Sequence, residues 1–218
     1  MLPGVTPPIT RISSPQLTFL GTTSNATTTA VVSMVTVTAA RPGLMVVCAA
    51  GRSSATRNVS NVSIGGSTGT VHFANTATTN PGAVASRLVS SGSNAISITY
   101  TSTTASANQG VGVWLITDYQ STVSIGSSIA TAATPTAGMK VQFNASRNGI
   151  ATFCAARGST VEQTWTGAPS AATTRGGSTS GTWRIECADQ LTTISAETSV
   201  SNTVGAGANG CLAGGAWR

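Results

Sequence analysis

One ten-residue stretch is written twice in this chain, and it restricts the fold more than any other feature. The first copy, from Gly43 to Arg52, reads GLMVVCAAGR; the second, 106 residues later from Gly149 to Gly158, reads GIATFCAARG. Each copy opens with glycine, continues through an apolar run to a cysteine, and goes on to two alanines. The recurrence predicts that a strand-forming unit has been duplicated.

The segments around the repeated strand recur in the same order, at an offset near 105 residues. Each half contains seven or eight short β-type runs punctuated by Gly, Asn, Ser and Pro, which is typical of sandwiches and barrels. We therefore expect an all-β fold, a duplicated jelly-roll-like antiparallel β-sandwich with one repeat at 17–118 and the other at 119–218. No linker separates the halves, so we expect an intimate junction, formed either by two packed domains or by one fused sandwich.

Composition supports the all-β prediction. Only 7% of the residues are charged, and 37 threonines and 28 serines serve as the polar partners instead. Threonine favours strands because its branched Cβ suits a pleated sheet, whereas Lys and Glu, which are common on exposed helices, number one and three. A chain of 218 residues is long enough to bury a large hydrophobic core.

The N-terminal residues 1–16 hold four of the eight prolines. Proline fixes φ and removes a hydrogen-bond donor, so this segment predicts an extended arm outside the sheets, with a disordered tail as the alternative. Such an arm could embrace a neighbouring subunit. The segment lacks the basic and apolar regions of a secretory signal, and no stretch of the sequence is apolar enough to span a membrane.

Positive charge is concentrated in the first half of the chain. Residues 1–117 contain no acid and five arginines, namely Arg11, Arg41, Arg52, Arg57 and Arg87. These arginines lie 5 to 30 residues apart, whereas nucleic-acid binders usually cluster Lys and Arg with interleaved aromatic residues. This spacing favours an acidic protein partner over nucleic acid. We expect them to dock the protein on such a partner.

The residues that catalysis requires are scarce. The motif GGSTG at Gly65–Gly69 resembles a nucleophile elbow, but it falls between two predicted strands and indicates a hairpin. The motif GAGANG at Gly205–Gly210 lacks the following helix of a dinucleotide site. One histidine and four scattered cysteines make a metal or cofactor site improbable. The carboxylates Glu186 and Asp189 would form a glycosidase pair only if they converged in a cleft.

The four cysteines divide into two pairs. Cys48 and Cys154 are equivalent under the repeat and lie among apolar neighbours, so we expect them in the core. Cys187 and Cys211 lie in mixed and glycine-rich stretches, where exposure is expected. In a protein released to an oxidising exterior, all four are candidates for disulfides, including crosslinks between subunits, and the sequence leaves the pairing open.

The four tryptophans also divide into two pairs. Trp114 and Trp217 occupy comparable apolar places in the two halves and are expected in the core. Trp165 and Trp183 lie beside polar residues, where an exposed ring could stack on a sugar, although burial is the more common role of tryptophan. A carbohydrate-binding module is therefore the alternative function.

The chain carries, in this order, the motifs VSNVSIGG, QGVGVWLI, QTWTG and GGAWR. This order resembles a family of small Ala/Thr/Gly-rich structural proteins of tailed phages and prophages, especially of alphaproteobacteria, and the resemblance covers most of residues 17–218. The chain departs from the family's pattern in its four cysteines.

The resemblance implies a virion protein without catalytic residues or cofactor, made in the host cytoplasm, that decorates or reinforces the capsid or the neck. Its partners would be major capsid or neck proteins and further copies of itself, for example in a trimer, with no membrane and no nucleic acid. A tail-fibre module that binds host surface glycan is the alternative, and a glycan hydrolase ranks third.

Overall fold

The computed structural model describes residues 14–76, 78–101, 107–132, 138–145, 148–168, 172–192, 198–204 and 210–218. These residues form seventeen β-strands, and every strand pair in the sheets is antiparallel. The predicted all-β sandwich fold is therefore confirmed. No helix in the described ranges is long and apolar enough to cross a membrane.

The first half of the chain contains nine strands. They are β1 (Gln16–Thr27), β2 (Val31–Ala39), β3 (Gly43–Ser53), β4 (Val59–Ile64), β5 (Ser67–Thr68), β6 (Thr70–Ala74), β7 (Gly82–Val89), β8 (Gly92–Tyr100) and β9 (Ala107–Thr117). The second half contains eight. They are β10 (Gly126–Ala132), β11 (Met139–Ala145), β12 (Gly149–Arg157), β13 (Trp165–Ala168), β14 (Thr173–Ser180), β15 (Trp183–Thr192), β16 (Thr198–Val204) and β17 (Gly210–Trp217).

Each half forms one inner and one outer sheet. Inner sheet 1 has the order β1-β9-β3-β7-β6 and outer sheet 1 the order β2-β8-β4-β5. Inner sheet 2 has the order β10-β17-β12-β15-β14 and outer sheet 2 the order β11-β16-β13. The inner sheets correspond strand by strand, with the repeated stretches, β3 and β12, at the centre of each. This shared order is what a duplication would produce; the duplication and the jelly-roll topology remain predictions.

The four sheets stack in the sequence outer sheet 1, inner sheet 1, inner sheet 2, outer sheet 2, with an apolar core in each of the three gaps. In β3, Met45 and Val47 face outer sheet 1, whereas Val46 and Cys48 face inner sheet 2. The repeated strand is apolar without alternation because both of its faces are buried. The halves are thus two sandwiches that share a third core, which is the intimate junction expected from the sequence.

Local turn chemistry agrees with the sequence at GGSTG. Strands β4 and β5 pair antiparallel around Gly65 and Gly66, whose φ angles are 60° and 78°. Two successive residues with positive φ match the two-residue hairpin turn that glycine favours. The predicted hairpin is confirmed. Most of the second glycine motif, 205–209, and the arm residues 1–13 lie outside the described residues.

Candidate functional site at the interface of the inner sheets

The inner sheets pack in a way that relates the two halves by an approximate two-fold axis. Strand β1 packs against β14, β6 against β10, and the central β3 against β12. Because β1 corresponds to β10 and β6 to β14 in sheet order, each contact has an equivalent with the halves exchanged. Such self-complementary contact is the pattern of a symmetric dimer interface, here formed within one chain.

Side-chain contacts fix the direction of the axis. Gly110 lies against Ile185, and in the equivalent contact Gly82 lies so close to Cys211 that a Cβ there would be 2.6 Å from the Cys211 Sγ. Gly82 and Gly110 are both register partners of Ala50 in inner sheet 1. Ile185 and Cys211, which contact these glycines, are both register partners of Ala156 in inner sheet 2. A second contact lies four residues earlier in both repeated strands, where Trp114, the register partner of Val46, bonds Asp189, the register partner of Thr152. Because equivalent positions meet at both places, the corresponding strands run in the same direction and their ends lie together.

All four cysteines lie in this interface with 0% exposure and with free thiols. The expectation that Cys187 and Cys211 are exposed is wrong, because the glycine-rich and mixed stretches around them face the other inner sheet. Cys154 and Cys187 are register partners on neighbouring strands. Cys48 Sγ lies 3.3 Å from Thr152 Oγ1 across the interface. A crosslink to another copy would require the interface to open.

Burial makes these thiols unreactive. It raises the pKa of Cys48 and the pKa of Cys211 to about 12, and it raises the pKa of Cys154 well above its ordinary value. A thiol is nucleophilic only as the thiolate, which burial disfavours. The cysteines act here as small apolar residues of the interface.

A buried carboxylate ties the halves together. Asp189, 1% exposed, accepts a hydrogen bond of 3.0 Å from Nε1 of the fully buried Trp114 on the opposite inner sheet. Arg175 on the neighbouring strand β14 donates to both of its carboxylate oxygens at 2.8 and 2.9 Å. These bonds compensate the charge that burial would otherwise penalise.

Glu186 does not join Asp189. Residues three apart on a strand point to opposite faces, so Glu186 lies on the face directed toward outer sheet 2. It accepts a bond from Arg184 and one of 2.9 Å from the backbone N–H of Gln163. The two carboxylates sit in separate ion pairs and do not converge in a cleft.

The two tryptophans that the glycan-binding alternative would use are buried. Trp165 and Trp183 are each 5% exposed. Trp165 packs 6.0 Å from the ring of Phe153, and the guanidinium of Arg52 covers Trp183 at 5.2 Å. Neither presents a free ring face, so the burial that the sequence favoured is confirmed and the sugar-stacking alternative lacks an exposed ring. The predicted burial of Trp114 and Trp217 is confirmed, with both at 0%.

The arginines of the first half do not form a common docking surface. Arg57 is 0% exposed, donates to the Thr29 carbonyl at 2.6 Å and lies 4.3 Å from the centre of the Tyr100 ring. Its assignment to docking is wrong, because the loops around it enclose the guanidinium.

The remaining arginines have separate positions. Arg87 is partly buried and donates to the Ile64 carbonyl at 2.8 Å, and Arg52 covers Trp183. Arg41 is exposed, and Arg11 lies outside the described residues. The arginines that contribute charge to the described surface of the first half are thus dispersed.

The only histidine of the chain lies at the rim of the interface, in a role the sequence did not reveal. Nε2 of His72 is hydrogen-bonded to Ser86 Oγ at 2.7 Å, and the same hydroxyl lies 3.3 Å from the Thr122 carbonyl oxygen. The ring meets Trp217 edge-on at 5.9 Å, and burial lowers the pKa of His72. Ser86 is 2% exposed and inaccessible to a substrate.

Two grooves open at one end of the molecule, at equivalent places in the two sandwiches. The Leu88 groove, of about 410 Å³, is lined by Leu88, Pro42, Arg41, Thr117, Asp118 and Tyr119. The Leu191 groove, of about 230 Å³, is lined by Leu191, Asn148, Arg175 and residues 14–17. Leu88 pairs with Leu44, and Leu191 pairs with Ile150. Leu44 and Ile150 both directly follow the glycine that begins the repeated strand, so Leu88 and Leu191 occupy equivalent positions.

No cluster of His, Cys, Asp and Glu with the makings of a metal site occurs among the described residues. Comparison with known proteins finds no matching family model and no matching curated protein. The candidate site is therefore defined by the structure alone: a shared core between two sandwiches and two exposed grooves at one end.

Proposed function

We propose that this chain is a structural component of a tailed-phage virion that decorates or reinforces the capsid or the neck. The observation that carries the proposal is the shared core of the inner sheets, which joins two sandwiches into one body. Burial of the central strands on both faces and the Trp114–Asp189–Arg175 link suit a rigid spacer on a particle. The order of motifs at Val59, Gln109 and Gln163 is the further support.

The partners in this proposal are major capsid or neck proteins and further copies of the chain, for example in a trimer. The end that carries Ser14, the chain segment just after Thr117, and Arg218 is the side expected to face the shell. Arg57 is buried and takes no part in this docking; the exposed arginines described at that end are Arg41, Arg175 and Arg218.

The first experiment is immunogold electron microscopy of phage particles with an antibody against the folded chain. Label on the head or neck supports the proposal. Label at the tail tip would instead favour the glycan-binding alternative, which no longer has Trp165 or Trp183 as a stacking site. If mass spectrometry detects the chain in particles but immunogold label has no fixed position on them, a structural role is refuted.

The second experiment deletes residues 1–13, which leaves β1 intact from Gln16. We expect the truncated chain to fold but to be lost from particles. Normal occupancy of particles by the truncated chain would contradict docking through the N-terminal segment.

A further inference from the structure

The two grooves have equivalent leucines but different surroundings. Leu88 is 52% exposed and Leu191 is 55% exposed, although both lie on strands next to the centre of an inner sheet. Exposure of a large apolar side chain at such a place leaves favourable burial unrealised. Residues 14–17 of the chain itself line the Leu191 groove. The Leu88 groove has no such segment on it in the described structure and is the larger of the two.

The chain supplies a segment that suits this groove. Residues 1–13 read MLPGVTPPITRIS and contain three prolines and five aliphatic side chains, counting Met1, with Arg11 as the one charged side chain. Proline-rich apolar segments bind shallow grooves that present an aromatic ring, because the polyproline II conformation loses little entropy on binding. The Leu88 groove presents the partly exposed Tyr119 ring next to Leu88 and Pro42.

The segment reaches the groove from its attachment point. Gln16 pairs with Thr117, so Ser14 and the Leu88 groove lie at the same end of the molecule. Thirteen residues in the polyproline II conformation span roughly 40 Å. The strands that line the groove, β9, β3 and β7, lie one to three strand spacings of about 4.8 Å each from β1. Attachment to the same chain also gives the segment a high effective concentration at the groove.

Charge at the groove also suits the segment. Asp118, exposed at the edge of the groove, is the one acidic residue with a described side chain that has no ion pair; the other three pair with Arg175 or Arg184. Arg11 is the cation of the segment. Arg41 also lines the groove, so a second cation is attracted there only next to Asp118.

From these observations we infer that residues 1–13 bind in the Leu88 groove of the same chain and cover Leu88 and Tyr119. This inference concerns the free protein and does not rest on the proposed function. It assigns the N-terminal segment an internal binding site that is distinct from the Leu191 groove.

The test uses the full chain with Ile9→p-benzoylphenylalanine, a photocrosslinking side chain, irradiated at low protein concentration. Crosslinked peptides are identified by mass spectrometry. We expect crosslinks to concentrate on Leu88–Val89 and Thr117–Tyr119. The change Leu88→Ser should reduce their yield by about fivefold, the effect of withdrawing the burial of half a leucine. The matched change Leu191→Ser should leave the yield within about twofold.

Several outcomes would overturn the inference. Crosslinks scattered over the surface, or crosslinks at the groove with the same yield in both serine variants, exclude specific binding at Leu88. In an equal mixture of ¹⁴N and ¹⁵N protein, crosslinks that join differently labelled chains would assign the groove to a second copy instead. Thermal unfolding of both variants controls for loss of fold. A negative crosslinking result would not change the interpretation of the immunogold labelling of particles.

Discussion

Removal of the Asp189 carboxylate should destabilise the whole molecule. In Asp189→Ala, Nε1 of the fully buried Trp114 loses its acceptor, which costs about 1–3 kcal/mol for an unsatisfied buried donor. Arg175 loses three short contacts to Asp189, but its side chain is 42% exposed and water replaces them, so this loss adds about 1 kcal/mol at most. We expect a loss of about 3 kcal/mol in the free energy of unfolding.

The assay is equilibrium unfolding in urea followed by tryptophan fluorescence. Because the two sandwiches share the interface core, we expect one cooperative transition with an unchanged slope and a lower midpoint. Asp189→Asn keeps an oxygen acceptor for Trp114 and should cost less than the alanine change.

The matched control is Glu162→Ala, which removes an ion pair of Arg184 from a carboxylate whose side chain is 86% exposed. Its effect should stay within about 0.5 kcal/mol. A loss below about 1 kcal/mol in Asp189→Ala would refute the reasoning, since the buried Trp114 donor would then not depend on this carboxylate.

Three further predictions concern the same interface. The four cysteines should not react with a thiol reagent in the native protein and should all react after unfolding; rapid native labelling would contradict their burial. Because the pKa of His72 is lowered in the folded protein, the unfolded chain binds more protons, so the free energy of unfolding should fall as pH drops through about 6.5. In urea titrations at several pH values, His72→Gln should flatten this dependence. An unchanged pH profile in the variant would exclude His72 as its source. Gly82→Ala should cost about 1–3 kcal/mol because its Cβ would meet Cys211 Sγ, and Cys211→Ala should recover part of that loss; additive costs in the double variant would place the strain elsewhere.

The sequence predicted the fold class because strand-forming runs, turns and the repeated stretch agree with one another. It predicted the hairpin at Gly65 because two glycines between strands satisfy a specific turn. It also predicted that Cys48 lies in a core, since the whole run around it is apolar. These features depend on neighbours in the sequence, which is why a single chain suffices to predict them.

The features that the sequence did not predict depend on which faces meet across the inner sheets. Cys187 has charged and polar neighbours, but alternation along β15 directs it into the interface and Glu186 to the other face. Arg57 lies in a polar stretch, yet loops distant in sequence enclose it. The equivalence of Leu88 and Leu191 became visible only from strand register, because their surrounding sequences differ.

The common direction of equivalent strands gives the molecule a polarity. Three places lie together at one end: Ser14, the connection between the halves at Asp118, and Arg218, whose carbonyl accepts a bond of 2.7 Å from the Gln120 N–H. The opposite end carries the β14–β15 hairpin at Gly181 and the partly buried Arg52. A fluorophore attached at Ser14 or at Arg218 would therefore report on, or obstruct, the same end, whereas a label at Gly181 would leave that end free.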